Sequence, residues 1–187
     1  MSGSAPRLTL VREVEALPED LIREPLAFLF AEHWRHRQFC RALSEVAQLA
    51  AVAPRLLRQM AAFLRVDMGL HIEDEEQDFF PLLRARAEPG DDLDRVLGIL
   101  SADHDTDRAL ARAIITGLEQ AAEACTGPAA ISGLPEDIAR FVTHQMRHIA
   151  LENAVVLPIA RLRLDAADRD GLAEALKARR TARAFRG

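Results

Sequence analysis

HIEDEEQDFFPLLR at residues 71–84 and HIALENAVVLPIAR at residues 148–161 obey one pattern, H-I-x-x-E-x-x-x-x-x-P-x-x-R. A second pair accompanies them. LFAEHWRHR at 29–37 and LSADHDTDR at 100–108 share L-x-A-[ED]-H-x-x-x-R. The two pairs repeat with offsets of 77 and 71 residues, so one helical hairpin has been used twice. A duplicated hairpin predicts a pseudo-twofold arrangement in which equivalent groups meet near the axis.

The segments that carry these motifs are helical by period. Leu26, Leu29, Phe30, His33, Cys40, Leu43 and Ala47 recur at helical spacing. Leu57 to Leu82, Leu93 to Ala122 and Ile138 to Leu162 form three more such stripes. Breaks fall at Ala53-Pro54, at EPGDD (88–92) and at TGPAAISGLPED (126–137). Proline suits a first helical turn at Pro54. A last, shorter helix begins near Asp165, a candidate N-cap. Strand patterns are nearly absent. The reading is all-α: an antiparallel up-down-up-down four-helix bundle over 21–163, a lead-in over 1–20, and a short C-terminal helix with a basic tail over 164–187.

Bulk properties narrow the function. The chain has 187 residues, 49% hydrophobic and 28% charged, which suits one folded domain. A net charge of -5 speaks against a nucleic-acid binder. Lys177, Arg179, Arg180, Arg183 and Arg186 read as favourable charge at a helix C-terminus plus a solvated tail. No apolar run approaches the roughly 20 residues needed to cross a bilayer, and no signal peptide is visible. Cys40 and Cys125 each fit a helical stripe, so buried free thiols are expected rather than a disulfide. These features point to a cytoplasmic protein without a membrane partner.

The repeat brings chemistry inward. Each copy supplies a histidine from its first helix, His33 or His104, and a His-x-x-x-Glu pair from its second, His71 with Glu75 or His148 with Glu152. Residues four apart share a helix face, about 6 Å apart along the axis. All six fall on apolar stripes. Burying two carboxylates and four imidazoles without partners costs several kcal/mol each. Two metal ions sharing the histidines and bridged by the glutamates remove that penalty. Imidazole with carboxylate suits iron, manganese, zinc or copper better than magnesium or calcium.

At this point the chain resembles the hemerythrin-like, HHE cation-binding family, over roughly residues 21–163. The resemblance implies two non-haem iron ions, oxo- or hydroxo-bridged, with manganese or zinc as alternatives. It implies His33, His71, Glu75, His104, His148 and Glu152 as ligands, Glu75 and Glu152 bridging. One feature departs from the family's oxygen carriers, which place two histidines four apart on the third helix. Here Arg108 follows His104 at that spacing. His144, one turn before His148, is the expected fifth imidazole. His36, one turn from His33, could compete as first-helix ligand, but it aligns with Asp107 in the repeat and is expected to stand behind the ligands or to be exposed, while Arg37 and Arg108 either pair near the site or are solvated.

Histidine-rich ligation makes the centre less anionic than carboxylate-rich di-iron sites. That favours reversible binding or sensing of a small ligand such as O2, NO or peroxide. The alternatives are a di-iron enzyme or repair factor and a metal storage module. The chain is expected to be a monomer or homodimer. Trp34 is expected to pack at a helix contact. Within the opening stretch Glu73, Asp74, Glu76 and Asp78 are read as mostly solvent-facing, Phe79 as apolar bulk over the site, and Pro81 with Pro158 as a shared kink past the metal layer.

Overall fold

The computed structural model describes Val14 and residues 17–184. Most of the expected lead-in and Arg186 of the basic tail lie outside the described residues. Among the described residues every regular element is helical. A 3-10 turn, Glu19–Arg23, leads into α1 (Pro25–Ala47). Then come α2 (Pro54–Asp74), a π turn (Glu75–Phe79) and α3 (Phe80–Arg86). The second half repeats the order: α4 (Leu93–Glu123), α5 (Leu134–Leu151), a π turn (Glu152–Val156) and α6 (Leu157–Arg163). The chain ends in α7 (Ala166–Ala184). No helix among the described residues is long and apolar enough to cross a membrane.

Local chemistry sets the helix starts. Pro25 and Pro54 occupy first-turn positions, where the missing N–H costs nothing. The Asp165 carboxylate accepts the Asp168 N–H at 2.9 Å at the start of α7, as its N-cap position predicts. Gly127 stands where the α4–α5 turn meets the α1–α2 turn. Its N–H donates to Ala50 O at 2.8 Å, and a Cβ there would lie 2.0 Å from Leu49 O.

At the place of the shared kink expected around Pro81 and Pro158, each proline follows a π turn. Each π turn starts at the repeat glutamate. Glu75 N–H still bonds His71 O, whereas Phe80 N–H bonds Glu75 O five residues back. Glu152 and Leu157 do the same. The wider turn moves the preceding carbonyls clear of a ring that an α-helix would not admit. It also advances the buried face by one residue, so Phe80 and Leu83, like Leu157 and Ala160, stay inward.

The four long rods pack α2 on α4, α4 on α5 and α5 on α1, and α7 lies against α1, α2 and the first 3-10 turn. Two apolar clusters result. One gathers Phe39, Leu43, Leu57, Leu64, Ile114, Leu118 and Phe141. The other gathers Leu29, Phe79, Phe80, Leu83, Leu97, Leu100, Leu157 and, from α7, Leu172 and Leu176. Between them run the histidines and glutamates of the repeat.

Three expectations are corrected. Trp34 is 59% exposed rather than packed at a helix contact. Cys40 is buried as expected, but Cys125 is exposed, and both are free thiols. The α4 helix ends at Glu123, and Cys125 takes a left-handed φ of 53° just past it, off the buried stripe. The acidic run is not mainly solvated either. Glu73 is exposed, but Asp74 is fully buried, and Glu76 and Asp78 are partly covered.

Candidate metal centre

Six buried side chains from four helical rods converge between the two apolar clusters. His33, His71, Glu75 and Glu152 each offer a donor atom within 4.8 Å of the others, and so do Glu75, His104, His148 and Glu152. Both glutamates belong to both groups. Glu75 lies on the face of His71, and Glu152 on that of His148, because each pair is one helical turn apart. Glu75 Oε1 is 3.5 Å from His71 Nε2, and its Oε2 is 3.2 Å from His104 Nε2. Glu152 Oε2 is 3.2 Å from His33 Nε2, and its Oε1 is 3.1 Å from His148 Nε2.

These approaches are not hydrogen bonds. The Nε2 atoms of all four histidines and both oxygens of both glutamates are buried with no hydrogen-bond partner. Each such orphan costs about 1–3 kcal/mol. Two donors about 2.1 Å from one ion and at right angles stand about 3 Å apart, which is the spacing observed. The donor set therefore fits two transition-metal cations.

Three of the four outer ring nitrogens are held. His71 Nδ1 is 3.2 Å from Glu32 Oε2, whereas His148 Nδ1 faces Asp103 Oδ2 at 3.8 Å without a hydrogen bond. His104 Nδ1 is 2.6 Å from Glu76 Oε1, and His33 Nδ1 is 2.8 Å from Asn153 Oδ1. With Nδ1 engaged outward in His33, His71 and His104, Nε2 faces in, and those rings are fixed. These four neighbours are themselves repeat-related. Glu32 and Asp103 precede the first-helix histidines, and Glu76 and Asn153 follow the glutamates. None of the four stands out by residue type, although the [ED] of L-x-A-[ED]-H is a signal for two of them.

Charge follows the same logic. Burial alone would deprotonate His71, but the Glu75 and Glu32 carboxylates outweigh it and push the imidazole up to about 10. Burial is likewise outweighed at His104, by Glu75 and Glu76, and at His148, by Glu152, so both are raised. Burial opposes ionisation of Glu75, yet the facing imidazoles of His71, His104 and His33 hold its carboxyl well below the usual range. Protons here occupy the electrostatic role that cations would take.

The fifth histidine is differently placed than expected. His144 joins neither donor group. Its Nδ1 is 2.7 Å from Asp107 Oδ1 and its Nε2 is 3.2 Å from Asp103 Oδ1, so both ring nitrogens are engaged toward the rim. His36 is buried behind His71, the first of its two expected placements, and not exposed. Its ring centroid lies 4.6 Å from that of His71, edge-on, and its Nε2 has no partner. Burial, followed by His71 and His33, pulls its pKa well below the ordinary value, so the ring is neutral. It too stands outside both groups. Phe80 stacks on His104 with centroids 5.7 Å apart, and the buried Phe79 lies beside it, ring centroids 6.0 Å apart. Arg37 is exposed, and Arg108 pairs with Asp105 on the rod's outer face.

A family model described as the hemerythrin HHE cation-binding domain matches residues 24–160. Neither the curated proteins nor the solved structures contain a match to the chain.

Proposed function

Because the chain belongs to the hemerythrin HHE cation-binding domain family, we propose that it is an antiparallel four-helix bundle whose six buried donors hold a pair of iron ions for reversible binding of a small ligand such as O2 or NO. The observation that carries this reading is the set of orphaned Nε2 and carboxylate atoms, arranged as two groups that share Glu75 and Glu152. His33 and His71 serve one ion and His104 and His148 the other.

Iron bound there supplies a redox-active centre able to take up a diatomic ligand. The chain's own residues do the rest. Glu75 and Glu152 hold the pair together, since each presents one oxygen to each side. Four imidazole donors against only two carboxylates would keep a metal-loaded centre less anionic than a carboxylate-rich one, which favours binding over strong oxidation. Glu32, Glu76 and Asn153 fix the rings by accepting or sharing the Nδ1 proton. Phe80 and the apolar clusters exclude bulk water. The two free thiols suit a reducing, cytoplasmic compartment.

Anaerobic loading with ferrous iron, followed by O2 and NO titration watched by visible absorption, tests the proposal. Bands that appear with ligand and vanish on its removal are expected. Irreversible oxidation without a stable adduct would contradict it and favour turnover.

A further inference from the structure

The repeat explains the site but not why the chain carries α7, which lies beyond the residues that the family model matches. We propose that α7 is a working part of the metal centre: Arg180 positions His71 through Glu32 and so sets the grip on the cation held on the His33–His71 side. The inference rests on the metal-binding reading above.

Glu32 and Asp103 hold repeat-related places behind His71 and His148, but only Glu32 hydrogen-bonds its imidazole; Asp103 stands 3.8 Å from His148 Nδ1. Each carboxylate needs a cation to orient it. Asp103 finds one within its own half: Arg147, directly before His148, reaches both of its oxygens at 2.9 and 3.0 Å. The residue directly before His71 is Leu70, which cannot do this. Arg180 supplies the absent charge from α7. Its Nη2 donates to Glu32 Oε1 at 2.9 Å, while Glu32 Oε2 faces His71 Nδ1.

Arg180 is itself locked. The same nitrogen reaches Asp74 Oδ2 at 2.7 Å, its Nη1 donates to Leu176 O at 3.0 Å, and its guanidinium lies 4.5 Å above the Phe28 ring. Arg179 beside it bonds Asp74 and Asp78. Glu32 and Asp74 are buried. Buried without the guanidinium groups of Arg179 and Arg180, they would be two uncompensated carboxylates, a costly state. The helix is seated by Leu172 and Leu176 in the core and by an Arg86–Asp168 pair at its start. A carboxylate pinned this way fixes the imidazole ring and raises its basicity as a ligand. One metal position therefore depends on the C-terminal helix, and the other does not.

The test uses the full chain loaded with cobalt(II), which shifts the ring N–H resonances of ligating histidines outside the ordinary NMR window. Cobalt titration gives the affinities. Arg180→Gln should weaken one of two binding events about ten- to a hundredfold and shift or exchange-broaden one shifted N–H resonance. Arg180→Lys should restore part of both effects. Arg147→Gln should leave that resonance alone. Glu32→Gln, which keeps the side chain's size, should reproduce the Arg180→Gln spectrum and serves if that variant does not fold. Unchanged affinities and spectrum in Arg180→Gln and Glu32→Gln, or equal loss at both positions, would overturn the inference. A wild-type chain that takes up fewer than two cobalt ions would overturn both this inference and the reading beneath it.

Discussion

His71 and Glu75 show how residue environment decides role. Neither is unusual by type, but each is buried with a donor atom that nothing in the chain satisfies. The same residue types behave differently one turn away. His144 has both nitrogens engaged at the rim, whereas His36 is buried with one nitrogen open. The sequence did not separate them, because both lie one turn from a repeat histidine and burial depends on which helix is opposite. Cys40 makes a related point. Burial, helped by Asp107, pushes its thiol up to about 12, and reactivity belongs to the thiolate. In the folded chain a thiol reagent is expected to label Cys125 and leave Cys40 untouched until denaturant is added. Rapid double labelling of native protein would count against the buried placement.

At the scale of elements the repeat was the legible part. Helix periods, the proline start at Pro54 and the six inward residues of the repeat could all be placed from residue spacing alone. The π turns could not, since a proline in a helical pattern signals a break without saying how the backbone absorbs it. Ala154 is the exposed residue within the second π turn. Removing it would restore an α register in which Val156, Leu157 and Ala160 keep an inward phase. Pro158 would then sit inside an uninterrupted helix, at a cost of about 3 kcal/mol. Deletion of Ala154 is therefore expected to lower stability by about that amount, and adding Pro158→Ala should recover most of it. Urea unfolding of the single and double variants measures the difference. If the proline substitution recovers nothing, the π turn does not exist to accommodate the ring.

The acidic run and the basic tail were misread for one reason. Each was judged on its own helix, where charges at those positions look solvated. Asp74 is buried and Arg179 and Arg180 are engaged because α7 folds back onto α1 and α2, a long-range pairing that no local pattern encodes. Glu76 escaped notice likewise, because its partner His104 sits on another rod.

Across the whole molecule, two apolar clusters enclose one polar layer, so stability and metal content are linked. After chelation His71 keeps its proton up to about 10 in the folded state, against about 6.5 when unfolded. A raised folded pKa adds stability that is complete below the unfolded value and lost as pH rises through the folded one. The Tm of chelated protein should fall between about pH 6.5 and 10. Cation-loaded protein should resist that fall, since bound cations replace the protons. A chelated Tm that climbs over this range would contradict the assignment of buried charge.

The central claim is that six side chains form two cation positions sharing two glutamates. Metal counted per chain after anaerobic ferrous loading and desalting tests it most directly, with His71→Ala and Glu75→Gln measured beside the wild type. The account predicts two ions in the wild type, loss of one in His71→Ala, and weakened retention of both in Glu75→Gln. A wild-type chain that retains one ion or none would contradict it.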